Sequence, residues 1–166
     1  DIHGNRYIDG VSSLWVNVHG HRKKELDTAI LKQLKKIAHS THLGLSHIPS
    51  IELAEELIRI APKGLAKVFY SDSGSTAVEI ALKMAYQYWQ LKNASSRKTF
   101  IAFSEAYHGD TLGAVSVGGI DLFHEKFKPL LFHVTRFASP FFNRGEREMG
   151  KLLHDIENEI TNHPDH

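Results

Sequence analysis

Residues 66–89 read AKVFYSDSGSTAVEIALKMAYQYW. An apolar run ends in a turn of serine and glycine, and a long helical periodicity starts at once. The pattern predicts a strand over 66–71, a turn over 72–74 and a helix over 75–92. Val78, Leu82, Ala85 and Trp89, flanked by Ala77, Ala81, Met84 and Tyr88, give that helix a wide apolar stripe. A helix begins with N–H groups that have no partner inside it, and its dipole places partial positive charge there. A small-residue turn leading from a strand into such an end makes an anion site, where glycine lets the backbone approach closely. Gly74 and Ser75 are therefore candidate phosphate-binding residues, with Ser73 or Thr76 assisting. The competing reading is that Ser73 or Ser75 merely caps the helix. Spacing alone leaves both open. It does set aside other motifs: no Gly-Lys-Ser/Thr closes the turn, no G-x-G-x-x-G is present, and Ser73 is flanked by serines rather than by the glycines of a nucleophile elbow.

Outward from this segment, strands and helices alternate. KTFIAFS (98–104) reads as a strand, AYHGDTLGAVSVGG (106–119) as a loop and short helix, DLFHEKFKPLLFHV (121–134) as helix then strand, and 146–161 as a last helix. Upstream, RYID (6–9) is a short strand candidate and SSLWVNVHG (12–20) a second apolar stretch. A helix follows over 25–38, then a polar stretch over 39–49, then a helix capped by Ser50 that Pro62 and Gly64 end. Alternation of this kind predicts an α/β fold with a mainly parallel sheet flanked by helices. In such sheets ligands sit beyond the carboxyl ends of the strands. Tyr107 follows strand 98–104 as Gly74 follows strand 66–71, so both loops are expected on one sheet edge. An aromatic there can lie flat on a planar ring whose phosphate rests on Gly74 and Ser75. A tyrosine packed at a loop base is the plainer alternative, and the neighbouring phosphate cup favours the ligand reading.

Composition narrows the class. The 166 residues are 42% apolar and carry a formal net charge of +1, which gives no basis for a nucleic-acid surface. His21-Arg22-Lys23-Lys24 reads as a solvated helix entry. The chain has no cysteine, so disulfides and thiolate metal sites are excluded, and a reducing, cytoplasmic setting is expected. No run approaches about 18 consecutive apolar residues, so no membrane partner is expected. Twelve histidines invite a metal-binding module as a non-enzyme alternative. His19, His21, His39, His42 and His47 are the densest groups, but none forms H-E-x-x-H and no carboxylate stands at ligand spacing, so no metal is predicted. The chain opens on Asp1 and stops after a helical pattern where a strand is due, which reads as a piece of a longer protein.

SDSGSTAVEIALKMA (71–85) followed by YHGDTLGA (107–114) resembles the class III, pyridoxal-phosphate-dependent aminotransferases of fold type I. Within that family, DGVSSLWVNVHGH (9–21) and ALKMAYQYW (81–89) are most similar to the branch that transaminates a fatty-acid-like keto substrate in biotin synthesis. A branch acting on ω-amino acids or ornithine is the enzymatic alternative. The resemblance implies a fold type I large domain, here partial: an N-terminal segment of strands, first helix and substrate-side loop over 1–49, then the first part of the cofactor-binding domain over 50–166. It implies pyridoxal 5'-phosphate as cofactor, held by Gly74 and Ser75. It places Tyr107 against the pyridoxal ring and at the substrate's edge, His108 beside it, and Trp15 against the substrate's methylene chain. A homodimer is implied, together with an amino donor and a keto acceptor. The lysine that carries the cofactor and the aspartate that faces its ring nitrogen are expected later than residue 166. Lys67 and Lys83, at a strand start and on a helix face, are not nominated, and the fragment alone is expected to be inactive.

Overall fold

The structure is a computed structural model and describes residues 1–94, 96–141 and 145–163. The chain divides into two compact units, Asp1–Val68 and Phe69–His166.

In the first unit, Ser12–Trp15 forms a single turn (α1), followed by helices α2 (Lys24–Leu34) and α3 (Ile48–Ile60). No described residue of this unit lies in a strand, which corrects the strand predicted at RYID and the strands predicted for residues 1–49. A strand needs a ladder partner, and alternation of apolar side chains cannot provide one. Glu25 and Asp27 sit in the first turn of α2, where the helix dipole favours carboxylates. The cap of α3 also differs from expectation. His47 is the N-cap, its ring nitrogen accepting from the Ser50 N–H, and Pro49 occupies the first turn. Proline suits that position because the N–H it lacks has no helical partner there. Ser50, predicted as the cap, lies inside the helix and donates its hydroxyl to the His47 carbonyl.

The second unit is built on α4 (Gly74–Leu91), β1 (Ile101–Phe103), α5 (Leu112–Val117), α6 (Asp121–His124), a 3₁₀ turn (Glu125–Leu130), β2 (Thr135–Phe137) and α7 (Glu146–Asn162). β1 and β2 pair in parallel, Ala102 opposite Arg136, as the alternation predicts. β2 begins just past the stretch 121–134 in which the strand is expected, because register is set by the partner strand and not by the apolar run. The predicted strand over 66–71 has no ladder partner among the described residues, although Val68 and Tyr70 are half-buried and Phe69 is exposed. Ala102, Val117 and Val134 form the core, with Val78, Leu82 and Phe100 packed on it. Of the predicted α4 stripe only Val78, Leu82 and Trp89 are half-buried; Ala77, Ala81, Met84, Ala85 and Tyr88 are exposed.

α5 sits where it can order the unit. Gly113 to Val117 are buried, and α5 packs on both α4 and β1. A six-residue helix gains little from its own hydrogen bonds. Side chains hold its two ends instead. The Glu79 carboxylate accepts from the N–H groups of Gly113 and Ala114 at 2.7 and 3.3 Å. At the other end, Arg136 donates to the carbonyls of Ser116 and Gly118. An anion at the N-terminus and a cation at the C-terminus both complement the helix dipole. Among the described residues no helix is long and apolar enough to cross a membrane, and no cluster of three or more histidines and carboxylates is placed to hold a metal ion.

Candidate functional site

The entrance of α4 answers the question the serine turn poses. Ser73 is the N-cap: its Oγ accepts from the Thr76 N–H at 3.2 Å, and the Thr76 hydroxyl accepts from the Ser73 N–H at 3.0 Å. This reciprocal capping box satisfies one orphan donor and the cap residue's own N–H. Asp72 completes it by accepting the Thr76 hydroxyl at 2.7 Å, and that hydrogen bond holds the Asp72 carboxyl below its ordinary range. Ser73 and Thr76 thus serve the cap. The N–H groups of Gly74 and Ser75, which follow the cap, have no hydrogen-bond partner among the described residues. Capping and an open pair of donors coexist because they use different amides. Gly74 adds room, since a Cβ on it meets nothing within 4 Å.

The loop carrying Tyr107 packs directly on this entrance. The Ser75 Oγ lies 2.8 Å from the Thr111 hydroxyl and accepts from the Thr111 N–H at 3.0 Å. Gly109, at φ +116°, passes so close that a Cβ there falls 2.5 Å from the Ser75 Oγ and 2.9 Å from its Cα. Glu79 fastens the same loop one turn along α4. The Thr111 hydroxyl bonds its carboxylate and is the largest cause of its lowered pKa; burial opposes this, while the Gly113 and Ala114 N–H groups and nearby Lys83 reinforce it. Ser75 is left presenting its backbone N–H beside that of Gly74.

Tyr107 is 43% exposed in this loop, and its hydroxyl donates to Asp110 at 2.8 Å. That bond raises the Tyr107 pKa and keeps the phenol neutral. His108 is exposed next to it. Gly74, Ser75 and the Tyr107 loop therefore stand together in the second unit. Glu79 and Thr111, which hold this loop, are residues that the sequence did not single out. A glutamate just over one turn before a helical lysine reads as an ordinary solvated pair, and no local signal marks it as a cap for a helix 34 residues away.

Trp15 belongs to the first unit. It is 72% exposed, so it is no core tryptophan. Ser12, Ser13, Leu14 and Trp15 all take left-handed dihedrals, with φ between 48 and 73°. Left-handed backbone costs an L-residue roughly 1–2 kcal/mol, so a turn of this kind needs external support. Asp9 gives some: its carboxylate accepts from the Ser13 N–H at 3.0 Å and from its hydroxyl at 2.8 Å, which keeps the Asp9 carboxyl below its ordinary range. Strained backbone of this type concentrates at functional sites.

A parallel α/β unit with a helix entrance open to an anion and an aromatic loop fastened beside it is the architecture of a phosphate-cofactor transferase domain. The Aminotransferase class-III family model matches residues 1–163, and the chain belongs to that family. Among its relatives is the adenosylmethionine-8-amino-7-oxononanoate aminotransferase of Aquifex aeolicus, 57% identical over 141 residues; the match covers 85% of this chain and 31% of the relative. The crystal structure of the enzyme of that name from Methanocaldococcus jannaschii superposes with a TM-score of 0.85 at 52% identity, covering 93% of this chain and 35% of that one. An amine transaminase from an uncultivated Pseudomonas species, solved with pyridoxal phosphate bound, gives a TM-score of 0.87 at 34% identity, covering 97% and 38%. The fold is thus part of the fold type I transaminase domain. The chain spans 31% of the length of the Aquifex relative.

Proposed function

We propose that the whole protein is a pyridoxal-phosphate-dependent transaminase of biotin synthesis. It converts 8-amino-7-oxononanoate to 7,8-diaminononanoate with adenosylmethionine as amino donor and acts as a homodimer. The observation that carries this reading is the pair of open N–H groups on Gly74 and Ser75 beside the Tyr107 loop, in a chain 57% identical to an enzyme named for that substrate.

The residues present fit the cofactor. The open space at Gly74 lets a phosphate reach both amides, and the α4 dipole favours its charge. When bound, pyridoxal phosphate supplies an electron sink for amino-group transfer. This chain's residues hold and orient. Gly74 and Ser75 bind the phosphate, Tyr107 lays its ring on the pyridoxal face, and the Asp110 contact limits how far that ring can turn. His108 shapes the adjacent wall. Trp15 offers a flat apolar face to the methylene chain of the substrate. The lysine that carries the cofactor and the aspartate that faces the ring nitrogen belong to the rest of the protein.

Assay of the full-length enzyme tests the reading. Turnover of 8-amino-7-oxononanoate is expected, and Trp15→Ala is expected to raise KM for that substrate about tenfold while leaving the donor's KM within twofold, since removing a buried indole contact costs about 1–2 kcal/mol. Activity with ornithine or an ω-amino acid alone overturns the substrate assignment, and equal effects on both KM values assign Trp15 to packing. Tyr107→Ala is expected to shift the bound cofactor's absorption band and weaken its binding roughly tenfold, because aromatic stacking is worth about 0.5–1.5 kcal/mol beyond the area it covers. Tyr107→Phe, which keeps the ring, is expected to stay close to the parent. An unchanged spectrum in the alanine variant rules stacking out.

A further inference from the structure

The Tyr107 loop has no regular structure of its own from Glu105 to Asp110, yet an aromatic platform works only if its distance from the phosphate cup is fixed. What fixes it is a short chain of contacts between α4 and the start of α5. Ser75 and Glu79 stand one turn apart on α4, so both project toward the same neighbour. Ser75 accepts from the Thr111 N–H and its hydroxyl pairs with that of Thr111, and Glu79 takes the N–H groups of Gly113 and Ala114. Both close approaches rest on missing side chains: a Cβ on Gly109 collides with Ser75 and one on Gly113 with the Glu79 carboxylate. The loop is pinned on the side facing the cup, through a group that is ionised and half-buried.

We infer that Glu79 is the positioning residue that locks the Tyr107–Thr111 loop onto the α4 entrance, so that phosphate cup and aromatic platform form one rigid unit. This rests on the cofactor reading given above. Glu79 acts on the loop indirectly: it holds the Gly113 and Ala114 amides just past Thr111, whose N–H and hydroxyl engage Ser75. Arg136 provides a built-in comparison, because it anchors the far end of the same helix and its hydrogen bonds go to Ser116 and Gly118 rather than to Tyr107–Thr111.

The test uses the full-length protein with Glu79→Gln and Arg136→Gln. In the apo form, hydrogen exchange at the amides of Thr111, Gly113 and Ala114 is expected to speed up at least tenfold in Glu79→Gln, since one charge-assisted anchor is removed. On titration with pyridoxal phosphate, the same variant is expected to bind about tenfold more weakly and to change the visible circular dichroism of the bound cofactor, which reports the asymmetry of its surroundings. Arg136→Gln is expected to lower the thermal midpoint and leave that dichroism as in the parent. Unchanged loop exchange in Glu79→Gln overturns the inference, and so does a dichroism change of equal size in Arg136→Gln, which assigns loop position to general packing. Faster exchange in a protein whose parent takes up no pyridoxal phosphate upholds the anchor and overturns the cofactor reading instead.

Discussion

Gly109→Ala is expected to destabilise the full-length protein by about 3 kcal/mol or more, combining roughly 1–3 kcal/mol for an unfavourable dihedral with roughly 1–3 kcal/mol for overpacking. At φ +116° an L side chain is strained whatever the space around it. Here space is lacking as well, because the added Cβ falls 2.5 Å from the Ser75 Oγ and 2.9 Å from the backbone of α4. A hydroxyl can rotate away, but the Cα of a helix's first turn cannot. The loop must lift, and with it go the Thr111 contacts and the seating of Tyr107. Urea denaturation of apo protein reads the loss as a lower midpoint, and titration with pyridoxal phosphate reads the displaced loop. A midpoint shift worth less than about 1 kcal/mol, the size of an ordinary surface change, contradicts the close packing of loop on helix.

The second large effect runs the opposite way, with binding lost and stability kept. Gly74→Val is expected to weaken pyridoxal phosphate binding at least a hundredfold, since two charge-assisted hydrogen bonds at about 1.5–3 kcal/mol each depend on access to those amides. Yet a Cβ at this position meets nothing within 4 Å, so the urea midpoint is expected to move by no more than about 0.5 kcal/mol in equivalent stability. The substitution fills the space the phosphate needs and disturbs little else. Ser75→Ala is a less clean probe, because the Ser75 hydroxyl belongs to the anchor with Thr111 and its loss moves the loop too. Parent-like affinity in Gly74→Val removes the phosphate role from this entrance. Together the two glycines separate fold from function at positions 35 residues apart.

Much of this was legible in the chain. The helices at 74–91, 112–117 and 146–162 follow from local periodicity, and the capping box needs only Ser73 and Thr76, three residues apart. The parallel sense of the pairing follows from strand-helix alternation, whereas the position of the second strand, 135–137 rather than the end of 121–134, does not. The strands that failed did so for one reason: RYID and 66–71 have the right side chains, but a ladder is a property of two segments and the described residues hold no partner for either. The α4 stripe was over-read for a related reason. Periodicity shows which residues share a face, and it does not tell which part of that face another element covers.

Sequence by itself determined the family, the serine-glycine turn at the α4 entrance that makes it a candidate anion site, and the presence of an aromatic on the next loop, because each depends on residue type and on neighbours within one or two turns. Only the tertiary structure decided that the loop is clamped to the entrance, that Glu79 holds one end of α5 and Arg136 the other, and that Ser75 offers a backbone donor while its hydroxyl serves Thr111. Those facts rest on pairs 18 to 36 residues apart, and a hydrogen bond between such distant positions leaves no periodic trace in the chain.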